Sequence, residues 1–209
     1  MIHRLFLTGF AVMSIAAFAQ EGHHWNANIG GGFTQPVGRL DNRVDMGWNV
    51  KGGVGWNFND YVGAVAEFQY NGFGLSGNYL SQIAVPDGNA RVWSATLNPV
   101  VRVNPRGPVG MYLIGGGGFY QRTVEFTQPS SAPVTIFDPW FGGFYNTLVP
   151  ANQVLGSFTQ NKAGVNGGVG FTFGLPRTTG KFFAEARYHY VFTNPTPTRY
   201  IPVTFGFRW

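Results

Sequence analysis

The chain contains no cysteine among its 209 residues. This excludes a disulfide framework, and it also excludes a lipoprotein anchor, which requires a cysteine at the cleavage point. Charged residues are scarce as well, at 11% of the sequence, whereas ordinary soluble domains contain about 25%. The basic residues form no run, so the net charge of +5 does not indicate a nucleic-acid surface.

Long apolar runs are also missing. After the N-terminal segment, no stretch reaches the roughly 18 uncharged apolar residues that a transmembrane helix needs. The N-terminal segment itself combines Arg4, an apolar stretch over 5–18, and the tripeptide Ala17-Phe18-Ala19. This is the pattern of a secretory signal peptide with its cleavage site. We therefore predict a signal peptide over 1–19, cleaved after Ala19, and one mature domain over 20–209.

Glycine and aromatic residues are abundant, with 31 glycines and 17% aromatics. Apolar and polar residues alternate with a period of two, which predicts strands with one apolar and one polar face. The segment 109–124 is apolar in both phases, so its orientation stays open. The eight predicted strands span about 24–33, 45–58, 61–73, 91–103, 109–124, 160–173, 181–193 and 200–209.

Seven charged residues inside the predicted strands share one phase, opposite to that of the aromatic residues. If the aromatic residues face lipid, the charged residues must face the lumen, because a Lys or Arg that faces lipid at the midplane costs about 2–4 kcal/mol. A secreted β-sandwich would share the short strands and Gly/Pro turns, but it has no reason to separate charges in this way. The inward charges are Lys51, Glu67, Arg102, Lys162, Glu185, Arg187 and Arg208.

The connections between the strands alternate in length. Short turns are predicted at 59–60, 104–108 and 175–180, and the long links include 74–90 and 125–159. Outward aromatic residues gather near both ends of the strands, as they do at the two interfaces of a membrane. The last strand carries Phe205, Phe207 and Trp209 on its apolar face.

This pattern resembles the small bacterial outer-membrane β-barrels of the OmpA-transmembrane/OmpX type. The resemblance implies an all-β fold: an eight-stranded antiparallel up-and-down transmembrane barrel with short periplasmic turns and longer extracellular loops. It implies a location in the cell outer membrane, with outer-membrane lipids including lipopolysaccharide as neighbours. It also implies that the barrel-assembly machinery reads Phe205, Phe207 and Trp209. We expect a monomer with no cofactor, no nucleic-acid partner and no peptidoglycan-binding domain.

The inward charges admit two interpretations. They could form a salt-bridge and hydrogen-bond network that plugs the lumen, because an eight-stranded barrel is just wide enough for its own side chains. Alternatively, exchange of partners among Glu67, Arg102, Glu185 and Arg187 could open a narrow water path. A plugged lumen predicts a structural or surface-interaction role for the protein. A water path that opens predicts a small passive channel.

Catalytic, nucleotide and metal sites are weakly supported. His189 lies inside a predicted strand, but no serine stands beside it as in the lipid A deacylases. The glycine clusters match no phosphate-binding motif, and His23-His24 is expected to be a mobile leader rather than a metal site. We predict a non-enzymatic protein. The long loop 125–159 is the best functional candidate, because exposed aromatic residues on loops often mark contacts. The alternative is that its ends extend the hairpin and its aromatic residues pack over the opening of the barrel. Its aromatic residues are Phe137, Trp140, Phe141, Phe144 and Tyr145.

Overall fold

The computed structural model describes residues 24–82, 85–105, 107, 109–175 and 180–209. The predicted signal peptide and His23 lie outside the described residues. In the described part of the chain, eight strands form a closed antiparallel barrel in which each strand pairs with its neighbours in sequence and the first pairs with the last. The predicted fold class is confirmed. The strands are β1 Trp25–Pro36, β2 Gly47–Asn57, β3 Val62–Gly74, β4 Asp87–Arg102, β5 Val109–Asp138, β6 Gly143–Gly174, β7 Lys181–Val191 and β8 Thr198–Arg208.

Closure depends on the pairing between β1 and β8. Their register runs from Asn28 opposite Arg208 to Pro36 opposite Tyr200. Because both edges of the sheet are paired in this way, the barrel exposes no free strand edge. Backbone hydrogen bonds are therefore satisfied between strands, as a membrane-spanning sheet requires.

The two faces of the wall differ as the alternation predicts. Outward side chains such as Phe68 and Leu97 are exposed, whereas inward ones such as Asn49 and Gln69 are buried. The orientation of strand β5, which the sequence left open, is also determined. In the barrel part of β5, the even-numbered residues Tyr112, Ile114 and Tyr120 face the lumen and are buried, whereas the odd-numbered residues Leu113 and Phe119 face outward and are exposed.

The connections alternate between the two ends of the barrel. Short turns over 58–61, 103–108 and 175–180 define what we call the short-turn end, where β1 begins and β8 ends. The long-loop end carries 37–46 with a 3-10 turn at Gly38–Leu40, 75–86 with the helix α1 Gly77–Gln82, the tip of the β5–β6 hairpin, and 192–197. Among the described residues, no helix is long and apolar enough to cross a bilayer.

The prediction of a loop over 125–159 is wrong. Strands β5 and β6 continue past the barrel rim as a two-stranded hairpin, paired from Val109–Phe173 to Asp138–Gly143, with one register shift at Phe126/Thr127. We call residues 125–159 the tip hairpin. Beyond Thr127, the last residue of β5 that pairs with β4, both faces of the hairpin lie past the barrel wall, so its sequence needs no strict alternation between lipid-facing and lumen-facing residues. The signal used to detect the other strands is therefore missing here.

The lumen is less polar than the alternation of the strands predicts. At the long-loop end an apolar cluster packs inside the barrel beneath the loops, and a second, smaller cluster lies deeper. Long-loop residues reach the barrel interior only after folding, so their sequence pattern could not show this. The first cluster contains Val44, Phe73, Leu75, Leu80, Ala90, Val92, Tyr120, Val191 and Tyr200, and the second contains Val65, Val100, Tyr112 and Ile114.

Candidate functional site

Four of the seven predicted inward charges meet in the middle of the lumen. Lys51 Nζ lies 3.2 Å from Glu67 Oε1 and 2.5 Å from Glu185 Oε1. Arg187 lies 2.5 Å from both carboxylates, through Nη2 to Glu67 and through Nε to Glu185. All four side chains are at most 2% exposed. We call these residues the ion cluster. Its two positive and two negative charges compensate one another, which buried charges require.

Neutral side chains extend the ion cluster across the lumen. Asn98 Nδ2 donates a hydrogen bond of 2.9 Å to Glu67 Oε2, and the Tyr112 hydroxyl donates one of 2.8 Å to Glu185 Oε2. Asn166 Nδ2 in turn donates to Asn98 Oδ1 over 2.9 Å. The network therefore joins strands β2 to β7 at one level. Its geometry supports a structural closure of the barrel.

A layer of aromatic residues lies next to the ion cluster, toward the long-loop end. His189 Nδ1 lies 3.1 Å from the Tyr120 hydroxyl, and the His189 ring stacks on Tyr200 with centroids 4.9 Å apart. All three side chains are buried. Among the described residues, His189 Nε2 and the Tyr200 hydroxyl have no hydrogen-bond partner. The environment of His189 is thus aromatic and closed.

Glycines on the neighbouring strand make room for the inward tyrosines. A Cβ atom at Gly164 would lie 2.8 Å from the Tyr120 ring, and one at Gly170 would overlap Tyr112. Close packing inside a small barrel therefore explains these glycines, as glycines within strands often indicate. Sequence reasoning missed Tyr112 and Tyr120 because β5 is apolar in both phases. The available signal was the glycines of β6: Gly170 is opposite Tyr112, and Gly164 is two residues from Lys162, the residue opposite Tyr120.

The other three inward charges lie away from the ion cluster. Arg102 is at the short-turn end, where its Nη1 donates to the Asp60 carbonyl oxygen over 3.4 Å and its Nη2 donates to Asn57 Oδ1. The Arg208 guanidinium lies over the Tyr112 ring, 4.7 Å from its centroid. Lys162 lies toward the long-loop end, opposite Tyr120, and is half-buried. A partner exchange that includes Arg102 is therefore not suggested by this geometry.

The aromatic residues of the tip hairpin are exposed. Trp140 is 89% and Phe141 86% exposed at the turn. Asp138 Oδ1 accepts a hydrogen bond of 2.8 Å from the Trp140 backbone N–H, which fixes the turn. Along the two strands, the Phe137 and Phe144 rings pack on each other with centroids 5.1 Å apart. Phe144 and Tyr145 are 75% and 50% exposed, so none of these aromatic side chains is covered by the barrel.

The remaining candidate residues are at the short-turn end. Phe205 and Phe207 face outward and are 44% and 50% exposed, and Trp209 is half-buried. His24 Nδ1 lies 3.0 Å from the Asn57 carbonyl oxygen, and its ring stacks on Trp56. In the part of the chain that the structure describes, no group of three or more His, Cys, Asp or Glu side chains could hold a metal ion.

A closed eight-stranded barrel with an apolar outer face and aromatic residues near both rims is the architecture of a membrane barrel. The family model described as outer membrane protein beta-barrel domain matches residues 5–207. The chain belongs to this family. The resemblance inferred from the sequence is thereby confirmed, and the eight strands are transmembrane strands of an outer-membrane β-barrel.

Solved structures agree with this family. Neisserial surface protein A has a TM-score of 0.56 with 13% identity, over 88% of this chain and 95% of that chain. A major outer membrane protein from Thermus thermophilus has a TM-score of 0.58 with 9% identity, over 89% of this chain and 98% of that chain. At these identities the likeness shows the fold alone. Comparison with curated protein sequences finds no significant match.

Proposed function

We propose that this outer-membrane β-barrel is plugged and acts at the cell surface, through contacts made by the tip hairpin. One observation carries the proposal: the side chains of the ion cluster pair with one another and are at most 2% exposed inside the barrel, whereas Trp140 and Phe141 at the hairpin turn are 89% and 86% exposed. Exposed aromatic residues on a paired β-hairpin are suited to a contact surface. Buried charges that satisfy one another are suited to closure rather than transport.

The orientation and surroundings belong to the same proposal. The long-loop end would face the exterior, and the short-turn end the periplasm, as in other outer-membrane barrels. The mature chain 20–209 would be a monomer among outer-membrane lipids, with lipopolysaccharide in the outer leaflet. The barrel-assembly machinery would read Phe205, Phe207 and Trp209, of which the two phenylalanines are exposed on the outer face of β8.

The contact role is tested by changing the two residues at the hairpin turn. Gram-negative cells that display the wild-type protein are compared with cells that display Trp140→Ser/Phe141→Ser, for self-aggregation and for adhesion to epithelial cells. The double variant is expected to lose adhesion because it removes the most exposed aromatic area and no barrel contact. Its control is Phe68→Leu, an apolar change on the outer wall. Equal adhesion by wild type and double variant would contradict a contact role for the turn.

A passive channel is the second candidate, and one observation favours it. Each carboxylate of the ion cluster contacts both Lys51 and Arg187, so partners could exchange without leaving a charge alone. Single-channel conductance of the refolded protein in a planar bilayer distinguishes the two functions. We expect the protein to insert into the bilayer without conducting a measurable current. Reproducible openings that change in Glu67→Gln, but not in the tip-hairpin variant Glu125→Gln, would instead establish a gated channel.

We also infer that the protein is not an enzyme. His189 is buried, and its contacts are the Tyr120 hydroxyl and the stacked Tyr200 ring. A general base must reach the proton that it abstracts, and this histidine is only 1% exposed. A His189→Ala variant is expected to leave the lipid A of the host cell unchanged, which mass spectrometry would check.

A further inference from the structure

The barrel interior opens into a polar cavity of about 370 Å³ at the short-turn end. We call this cavity the vestibule. Among the described residues, its charged lining comprises Arg102, Lys181 and Arg208, with Asp60 as the one acidic residue and His24 at the rim. Tyr112 separates it from the ion cluster, since its hydroxyl bonds to Glu185. The vestibule is therefore a positively charged chamber that is distinct from the compensated charges deeper in the lumen.

Arg208 distinguishes the vestibule from an ordinary polar opening of a barrel. The residue is only 7% exposed, and its guanidinium lies over the rings of Tyr112 and Phe183, at 4.7 and 5.6 Å from their centroids. Among the described residues, its Nε and Nη2 donors have no hydrogen-bond partner. The aromatic faces stabilise the cation, but they leave its N–H groups unused. A buried charged donor without a partner is costly, so an acceptor is expected there.

A second polar group of the vestibule without a hydrogen-bond partner restricts which ligands could supply that acceptor. Asn26 Oδ1 is buried without a hydrogen-bond partner among the described residues, although Asn26 Nδ2 donates to Asn57 Oδ1 over 2.9 Å. An unused amide oxygen needs a donor. A ligand that satisfies both groups therefore carries acceptor oxygens for Arg208 and an O–H for Asn26. Hydrogen phosphate and phosphate monoesters that bear a proton have both, whereas chloride and a carboxylate lack the donor.

We propose that the vestibule binds a phosphate-type anion. Two phosphate oxygens accept hydrogen bonds from Arg208 Nε and Nη2, in the forked geometry that guanidinium groups favour with phosphate. The protonated phosphate oxygen donates to Asn26 Oδ1. Lys181 and Arg102 attract the anion through charge, and Asp60 partly offsets them. The source is either a free phosphate compound or the phosphate of a lipid headgroup at the membrane surface.

Calorimetric titration of inorganic phosphate into the detergent-solubilised protein, purified from outer membranes without phosphate, tests the site. We expect saturable binding to one site that weakens as salt rises. Arg208→Gln should weaken it by about tenfold or more, because charge-assisted hydrogen bonds are lost. Arg208→Lys keeps the charge but loses the fork, and should also bind more weakly. Arg91→Gln, at the opposite end, is the matched control and should bind like wild type.

Folding is checked separately, because Arg208 lies in the strand that closes the barrel. Lys181→Gln gives a second measurement that does not depend on that strand, and it should weaken binding by a smaller factor. No phosphate binding by the folded wild type, or equal binding by wild type and folded Arg208→Lys and Arg208→Gln, would overturn the proposal. The source of the ligand is distinguished by measuring phosphate binding in nanodiscs of neutral lipid and in nanodiscs that contain anionic lipid. Binding in both supports a free phosphate ligand. Binding in neutral nanodiscs that is lost in anionic ones supports a lipid headgroup ligand, because the headgroup then competes for the site.

Discussion

Glu185 and Glu125 are two carboxylates that pair with arginine in very different surroundings. The Glu185 side chain is 2% exposed between Lys51 and Arg187. The Glu125 side chain is 21% exposed and pairs with Arg91, which is 38% exposed, on the outside of the barrel near the long-loop end. Removal of one partner from a buried ion pair leaves a charge without compensation, whereas an exposed pair is screened by water.

The matched substitutions Glu185→Gln and Glu125→Gln therefore separate the two effects. We expect Glu185→Gln to lower the free energy of unfolding by about 3–5 kcal/mol. Glu125→Gln should change it by no more than about 1 kcal/mol. Urea unfolding in lipid vesicles, followed by tryptophan fluorescence, measures both. Comparable small losses in the two variants would show that the ion cluster contributes little to the stability of the barrel.

The inward direction of these charges could be predicted from the sequence, but their grouping could not. Alternation assigns Lys51 and Glu185 to the lumen, yet these residues are 134 positions apart and belong to β2 and β7. Which inward residues share a level depends on the stagger of all the strands around the barrel. That stagger also places Arg102 and Arg208 near the short-turn end, away from the ion cluster.

Strands β1 to β4 and the barrel part of β6 show where sequence alternation succeeds, whereas the barrel part of β5, which is apolar in both phases, and the tip hairpin show where it fails. Inside the wall, each strand faces lipid on one side and lumen on the other, so its period is visible. Past the register shift at Phe126/Thr127, the wall stops and the backbone ladder continues alone. The pairing of the tip hairpin is determined by the register of β5 and β6 inside the barrel wall and by the turn that Asp138 fixes. No period of two is needed for it.

The outward charges mark how far the apolar wall extends. Arg91 pairs with Glu125, and Arg199 lies 5.0 Å from the Tyr190 ring centroid; both arginines face outward near the long-loop end. Just below them, Tyr70 and Trp93 pack together with centroids 4.5 Å apart. At the other rim, Trp25 and Trp56 pack at 4.8 Å. Aromatic residues of this kind lie at the interfaces of a membrane, so the apolar belt between them is the lipid-facing part.

Two leucines of similar exposure test the position of this belt. Leu97 is 62% exposed midway along the outer face of β4, and Leu148 is 68% exposed on the tip hairpin. If the belt is embedded in lipid, Leu97→Arg should lower the free energy of unfolding by about 2–4 kcal/mol, because arginine is costly at the midplane. Leu148→Arg should change it by less than about 0.5 kcal/mol, since that side chain meets water. Equal effects in the two variants, measured by urea unfolding in vesicles, would contradict this placement of the bilayer.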